Sequence, residues 1–195
     1  MPNEDGCRYD PVRVANFFVG KSIEERRPLT ILKLIKLTYL AYGWIAAVLG
    51  RKLFDEPVEA WRYGPVVPSV YQEFKHWGAR PILWPGGMRV EISDEIGEDT
   101  TDSYIRANGI VRSELPRRID DDRVRKGLEW VWKKYSSRTA VDLSQMTHLP
   151  GTPWDEIYKG RRRGSQRHKK IPYEKILAHY KKLAAQLEPS NVTEA

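Results

Sequence analysis

Thr30-Ile-Leu-Lys-Leu-Ile-Lys-Leu-Thr-Tyr-Leu-Ala-Tyr-Gly-Trp-Ile-Ala-Ala-Val-Leu49 decides the fold. Ile31, Leu32, Leu34, Ile35, Leu37, Tyr39, Leu40, Trp44, Ile45, Val48 and Leu49 point in nearly every direction around a helical axis. Only Lys33 and Lys36 are charged, both near the start. A helix that is apolar all round sits at the centre of a domain or spans a membrane. Its uncharged part, Leu37 to Leu49, is about 13 residues, short of the roughly 18 a span requires. The pattern predicts a buried central helix at about 30–49, capped by Thr30 and ended by Gly50, with no membrane partner.

The neighbouring segments supply what such a helix packs against. On its N-terminal side, Asp10 to Ser22 reads as a short helix. Asp10 is an N-cap, Pro11 lies in the first turn, and Val14, Phe17 and Phe18 share one face. On the C-terminal side, Leu53 to Tyr63 reads as a connector and Pro65 to Gly78 as a helix with Val67, Val70, Tyr71, Phe74 and Trp77 inward. Pro85-Gly86-Gly87 separates Pro81-Ile-Leu-Trp84 from Met88-Arg-Val-Glu-Ile92, the spacing of a small β-hairpin near 81–92. Glu91 to Asp102 is acidic and reads as loop. Further helices are predicted at about Asp121 to Tyr135, Arg138 to Thr147 and Pro172 to Leu187. The fold expected is mainly α, a compact helical bundle in one domain over residues 10–188, with flexible termini at 1–9 and 189–195.

Composition narrows the function. Cys7 is the only cysteine, which excludes an internal disulfide and a multi-cysteine zinc site. Glu4, Asp5 and Arg8 near the start do not suit a secretion signal, so a cytoplasmic location is expected. The net charge of +7 is unevenly spread: Lys159 to Lys182 holds ten Lys or Arg against Glu174 alone, +9, leaving −2 for the remainder. Arg161, Arg162, Arg163, Lys169 and Lys170 carry half of that positive charge. They are the residues that would grip phosphates if the chain bound nucleic acid, the alternative to a solvated linker. No aromatics interleave the Arg161 to Lys170 run as a single-strand stacking platform requires.

Candidate chemistry is sparse. Glu73 and His76 have a metal-ligand spacing, but a di-metal site needs a second copy and further carboxylates, so no metal is expected. His148, beside a proline-rich turn, is placed to cap the end of a helix. No serine or cysteine sits at a nucleophile elbow, and Gly86-Gly87 lacks the lysine of a phosphate loop. No cofactor is implied, and recognition rather than catalysis is expected. The densest feature is Glu59 to Lys75, which gathers Trp61, Tyr63, Tyr71 and Phe74 around a Gly64-Pro65 turn and Pro68. Trp61, Val70 and Phe74 are expected to be core. Arg62 and Tyr63 are expected to be exposed, and with Tyr71 they are the candidate partner-binding anchors.

Leu34-Ile-Lys-Leu-Thr-Tyr-Leu-Ala-Tyr-Gly-Trp44, Leu53-Phe-Asp-Glu-Pro-Val-Glu-Ala-Trp61 and Tyr63-Gly-Pro-Val-Val-Pro-Ser-Val-Tyr71 together resemble the signature of the Panacea domain, the antitoxin domain of the SocA and phage-associated GepA group. Leu143-Ser-Gln-Met-Thr-His148 with Pro153-Trp154 is similar to that family's second block. The matched blocks span about Val12 to Tyr158. Trp61, Gly64, Pro65, Pro68, His148 and Trp154 are the motif positions. The resemblance implies a mostly helical antitoxin that neutralises a cognate protein toxin by direct contact, with the SocA branch also similar to an adaptor for the ClpXP protease. Met146 departs from the usual leucine, a volume-conserving change. The Lys159 to Lys170 run is longer and more basic than the resemblance leads one to expect.

Overall fold

A computed structural model of the chain describes residues 9–86, 119–159 and 169–187. Helix α1 spans Pro11–Glu24 and α2 spans Ile31–Leu49. Strands β1 (Glu59–Trp61) and β2 (Gly64–Val66) follow, then α3 (Pro68–Phe74), which tightens into a 3-10 turn at Lys75–Trp77. Helices α4 (Asp122–Tyr135), α5 (Ala140–His148) and α6 (Pro153–Lys159) come next, then strand β3 (Lys169–Lys170) and α7 (Tyr173–Ala185). The fold is mainly α with a small antiparallel sheet, as expected.

The caps explain where the helices begin. The Asp10 carboxylate accepts from the backbone N–H groups of Val12 and Arg13. Asp121 does the same for Arg123 and Val124 at the start of α4. Thr139 and Asp142 form a reciprocal capping box on α5. Gly50 ends α2 at φ 69°. Thr30 holds the N-cap position of α2 without a side-chain hydrogen bond to the helix.

Helix α2 is the axis of the molecule, buried from Leu34 through Ala46. By length and composition its 19 residues suffice to cross a membrane, but 72% of its apolar stretch is buried inside the fold. Burial, rather than shortness, marks it as a core helix. It packs against α1, α3, α4, α5, α7 and β2. Helix α4 runs antiparallel to it. Arg51, just past the end of α2, is ion-paired with Asp121 at the start of α4. At the opposite end Lys33 donates to the Ser136 carbonyl. Helix α7 reaches α2 closely because Gly43 has no side chain: a Cβ there would run into the Tyr180 ring.

The sheet corrects the expected positions of the strands. Its order is β2-β1-β3, antiparallel throughout, with Ala60 opposite Pro65 and Trp61 opposite Gly64. The hairpin therefore lies about 20 residues before the 81–92 stretch. Residues 81–86 carry no strand, and Met88 to Ile92 lie outside the described residues. The segment read as a connector contains β1, and the helix expected from Pro65 begins at Pro68. Pro65 is tolerated because β2 is an edge strand, where a missing N–H interrupts no ladder. The β3 strand pairs Lys170 with Glu59 and Lys169 with Ala60. Those two lysines of the basic run thus belong to the sheet, whereas Arg161, Arg162 and Arg163 lie outside the described residues.

Candidate docking site at the hairpin turn

The β1–β2 turn is made by Arg62 and Tyr63, both at negative φ, followed by Gly64 at φ 102°. A turn closed by a glycine in this left-handed region is a common hairpin solution. Gly64 has a second constraint. A Cβ on it would lie 2.5 Å from Lys36 Nζ and 2.9 Å from Thr147 Oγ1. The turn is therefore seated directly on the central helix and on α5.

Lys36 is the residue beneath it. Its side chain is wholly buried, and Nζ donates to the Pro65 carbonyl at 3.2 Å. Burial pulls its pKa from 10.5 to about 7. The first turns of α2 expose Ile31, Leu32 and Lys33 in part, but by Lys36 the helix has entered the core. A lysine there is fixed by one main-chain acceptor and by the geometry of the turn.

The second motif block closes over the same point. Ser144 donates to the Tyr63 carbonyl at 3.1 Å, bridging 81 residues of sequence. Trp154 Nε1 donates to the Trp61 carbonyl at 2.8 Å, bridging 93. The His148 ring meets Trp154 edge-on at 3.8 Å, and Trp154 stacks on Tyr158 at 4.4 Å. Within the block, Thr147 donates to the Ser144 carbonyl and Thr152 to the Thr147 carbonyl, while Asp155 accepts from the Gly151 N–H. These bonds hold the Pro150 to Pro153 turn rigid and set α6 against the hairpin.

Electrostatically the site is a buried amine with a suppressed imidazole beside it. Burial first, and repulsion from Lys36 second, push His148 below the ordinary histidine value. Asp155 is held low chiefly by Lys159, its ion-pair partner at 2.7 Å. Ser144 Oγ lies 3.5 Å from His148 Nδ1, too long for an activated nucleophile, and it already donates to Tyr63. His148 Nε2 is buried with no hydrogen-bond partner among the described residues, so no carboxylate orients the ring as in a triad. Among the described residues no group of three His, Cys, Asp or Glu side chains is placed to hold a metal ion.

The outer surface is apolar with cations beside it. Tyr63 is 62% exposed and Arg62 stacks over its ring at 5.4 Å. On α5, Val141 is 59% exposed, and Leu149, just past the helix end, is 57% exposed. Val141, Gln145 and Leu149 recur every fourth residue, so they line one side, next to the Ser144 that touches Tyr63. Tyr71 differs from the other two expected anchors. It is half-buried, packed edge-on to Trp61 at 4.8 Å. Trp61 is likewise half-buried, its indole donating to Glu59, while Val70 and Phe74 are fully in the core.

Trp61, Tyr63, Gly64, Pro65, His148 and Trp154 thus converge on one junction, with Tyr71 joined through Trp61. Pro68 stands one step away, as the first residue of α3. Lys36, Ser144 and Thr147 complete the junction, although sequence reasoning singled out none of them for it. Lys36 left one signal: it is the second of two charges in a largely apolar run, a full turn past Leu32.

The family described as Antitoxin SocA-like, Panacea domain, matches residues 34–155, which include every junction residue named above. Antitoxin SocA of Caulobacter vibrioides (strain NA1000 / CB15N) is 31% identical over 157 residues, covering 80% of this chain and 74% of that protein. No solved structure matches the chain. It belongs to the Panacea-domain family of SocA-like antitoxins.

Proposed function

We propose that this chain neutralises a cognate protein toxin by direct contact, through the face built on the Arg62-Tyr63 turn. The antitoxin role itself follows from the family and from the SocA relative. The supporting observation for the face is Tyr63. It is a large ring, 62% exposed, on a turn pinned from beneath by Lys36 and from the side by Ser144. Pinning lowers the conformational entropy lost on binding, and an exposed Tyr beside an Arg suits an interface hot spot. Val141 and Leu149 extend the apolar centre. Tyr71 acts through Trp61 as a support for the hairpin. Lys169 and Lys170, on the strand beside β1, add positive charge that steers an acidic toxin surface toward it.

The test is co-expression with the product of the neighbouring open reading frame. That product is expected to arrest growth alone and to be harmless alongside this chain. A neighbour harmless on its own removes the pairing. Delivery to ClpXP is a separable arm of the same reading: an adaptor shortens the toxin's half-life only when ClpXP is present, whereas a blocker leaves toxin levels intact.

A further inference from the structure

Helix α4 presents a second face that the toxin reading leaves without a role. Arg123, Lys126, Trp130 and Lys134 follow one another at three- and four-residue steps, and Lys133 flanks them, so these side chains share one side of the helix. All five are exposed, and none of the four cations forms an ion pair with another described residue. Of the nearby acids, Asp121 and Asp122 are committed elsewhere, to Arg51 and Arg125, and Glu129, exposed between Lys126 and Lys133, offsets one of the four charges. Trp130 is 39% exposed and braced from behind by Trp44, edge-on at 4.9 Å. One turn beyond Trp44 on α2, Val48 is 68% exposed, three residues past the Ile45 that touches Gly127 of α4.

Charge and shape select the occupant. A row of four cations with only Glu129 among them leaves a net positive stripe along one helix, which attracts an acidic surface. A braced tryptophan within that row, with an exposed aliphatic side chain on the neighbouring helix, has the make-up of a protein–protein anchor point. Nucleic acid suits it less. Lys134 Nζ sits over the Trp130 ring at 4.9 Å, occupying a face that a base would need for stacking. Phosphate contacts alone would give Trp130 and Val48 nothing to do.

We propose that the α4 face, centred on Trp130 and Val48 and lined by Arg123, Lys126, Lys133 and Lys134, docks an acidic protein segment that carries an apolar anchor residue. The face is separate from the hairpin turn. Val48 lies 12 residues beyond Lys36 on α2, about 18 Å along the helix axis. A chain with two such faces holds two polypeptides at once, which an adaptor needs and a simple blocker does not. The inference rests on α4 and α2 alone and survives if the hairpin face proves idle.

The experiment uses the full chain and three fluorescent probes. They are a peptide of Asp and Glu with a central Leu-Phe pair, the same peptide with that pair replaced by serines, and a duplex DNA. The first probe is expected to bind, to weaken with added salt, and to bind at least about tenfold better than the serine peptide. Trp130→Ala is expected to weaken it by about tenfold or more. Lys126→Glu with Lys133→Glu should do the same without touching any buried contact, so a folding defect in the tryptophan variant does not decide the outcome. Equal binding of the serine peptide, stronger binding of the DNA, or indifference to both variants would overturn the proposal. So would binding that emerges only after the six acids among residues 91–102 are replaced by their amides, because the chain would then be covering this face with its own acidic stretch.

Discussion

The two ends of α2 are buried by different means. Toward the C-terminal end, Tyr42 stacks on Phe54 at 4.4 Å, and Trp44 touches Trp130 and Tyr180 while donating to the Tyr135 hydroxyl. Those contacts are rings on rings, with their few polar atoms paired. Toward the N-terminal end, the same helix buries the ammonium of Lys36 against one carbonyl and a glycine. The aromatic end follows the rule for a stable core. The lysine end opposes it, because burying an ionisable amine with little compensation destabilises the fold. Such a conflict is characteristic of positions retained for what they do rather than for stability. Here the lysine holds the one turn that exposes Tyr63.

Breaking the aromatic end should have the largest effect. Trp44→Ala removes contacts with Trp130 and Tyr180 and leaves the Tyr135 hydroxyl without its indole donor. A loss of about 3–5 kcal/mol is expected, read by chemical denaturation. The effect should be nearly independent of pH between 6 and 9, since the phenols of Tyr39, Tyr135 and Tyr180 are all pushed upward by burial.

The lysine end should behave in the opposite sense. The unfolded lysine keeps its proton up to about 10.5, and the folded one only to about 7. Between those values the unfolded chain binds more protons, so stability rises with pH, by at most on the order of 5 kcal/mol. Below pH 7 the full penalty of the buried cation remains. Lys36→Met should therefore raise stability at pH 6 and flatten the rise between pH 7 and 10. It should also weaken binding to the toxin, because the turn loses its tether. A variant less stable than the parent at pH 6 would show that the amine supports the fold and would remove the contrast between the two ends.

How much of this contrast was legible in the sequence depends on the range of the interaction that decides it. The all-round apolarity of Ile31 to Leu49 marks the core helix, and Asp10, Asp121 and Gly50 mark helix boundaries, because caps and periodicity act within one or two turns. The sheet was not legible. Glu59–Trp61 and Gly64–Val66 are three residues each, too short to show alternation, and the third strand is a pair of lysines about 100 residues later that reads as part of a charge run. Pro65 and Pro68 both suit the first turn of a helix, and only the pairing of Ala60 with Pro65 decides between them. For the site, the motif residues of both blocks were visible, and so was the exposure of Tyr63. The burial of Lys36 was not, because it depends on α5 and the hairpin closing over the helix from far along the chain.

Gly64→Ala sharpens the comparison with a smaller effect. A Cβ must fit at φ 102° and against Lys36 Nζ. A loss of about 1–3 kcal/mol is expected from the strained backbone and the displaced amine. The same change at Gly20, where φ is not in the left-handed region and nothing lies within 4 Å of an added Cβ, should be neutral or slightly stabilising within α1. A loss at Gly64 no larger than that at Gly20 would mean that neither its positive φ nor the lysine beneath it constrains the position.

The smallest effect on stability should accompany a large effect on binding. Tyr63 is mostly solvent-exposed, and only its backbone carbonyl is tied into the fold, through Ser144. Tyr63→Ala removes a ring that contributes little to the core, so stability should change by less than about 0.5 kcal/mol. If the hairpin face grips the toxin, the same substitution should weaken the complex by about tenfold or more, measured by calorimetric titration. Ser144→Ala offers a complementary case: it leaves the ring in place but frees the turn, and its loss should appear mainly as a faster off-rate with the contact surface unchanged. A Tyr63 variant that binds toxin as tightly as the parent would separate rigidity from recognition, and the buried lysine would then need a different reason to exist.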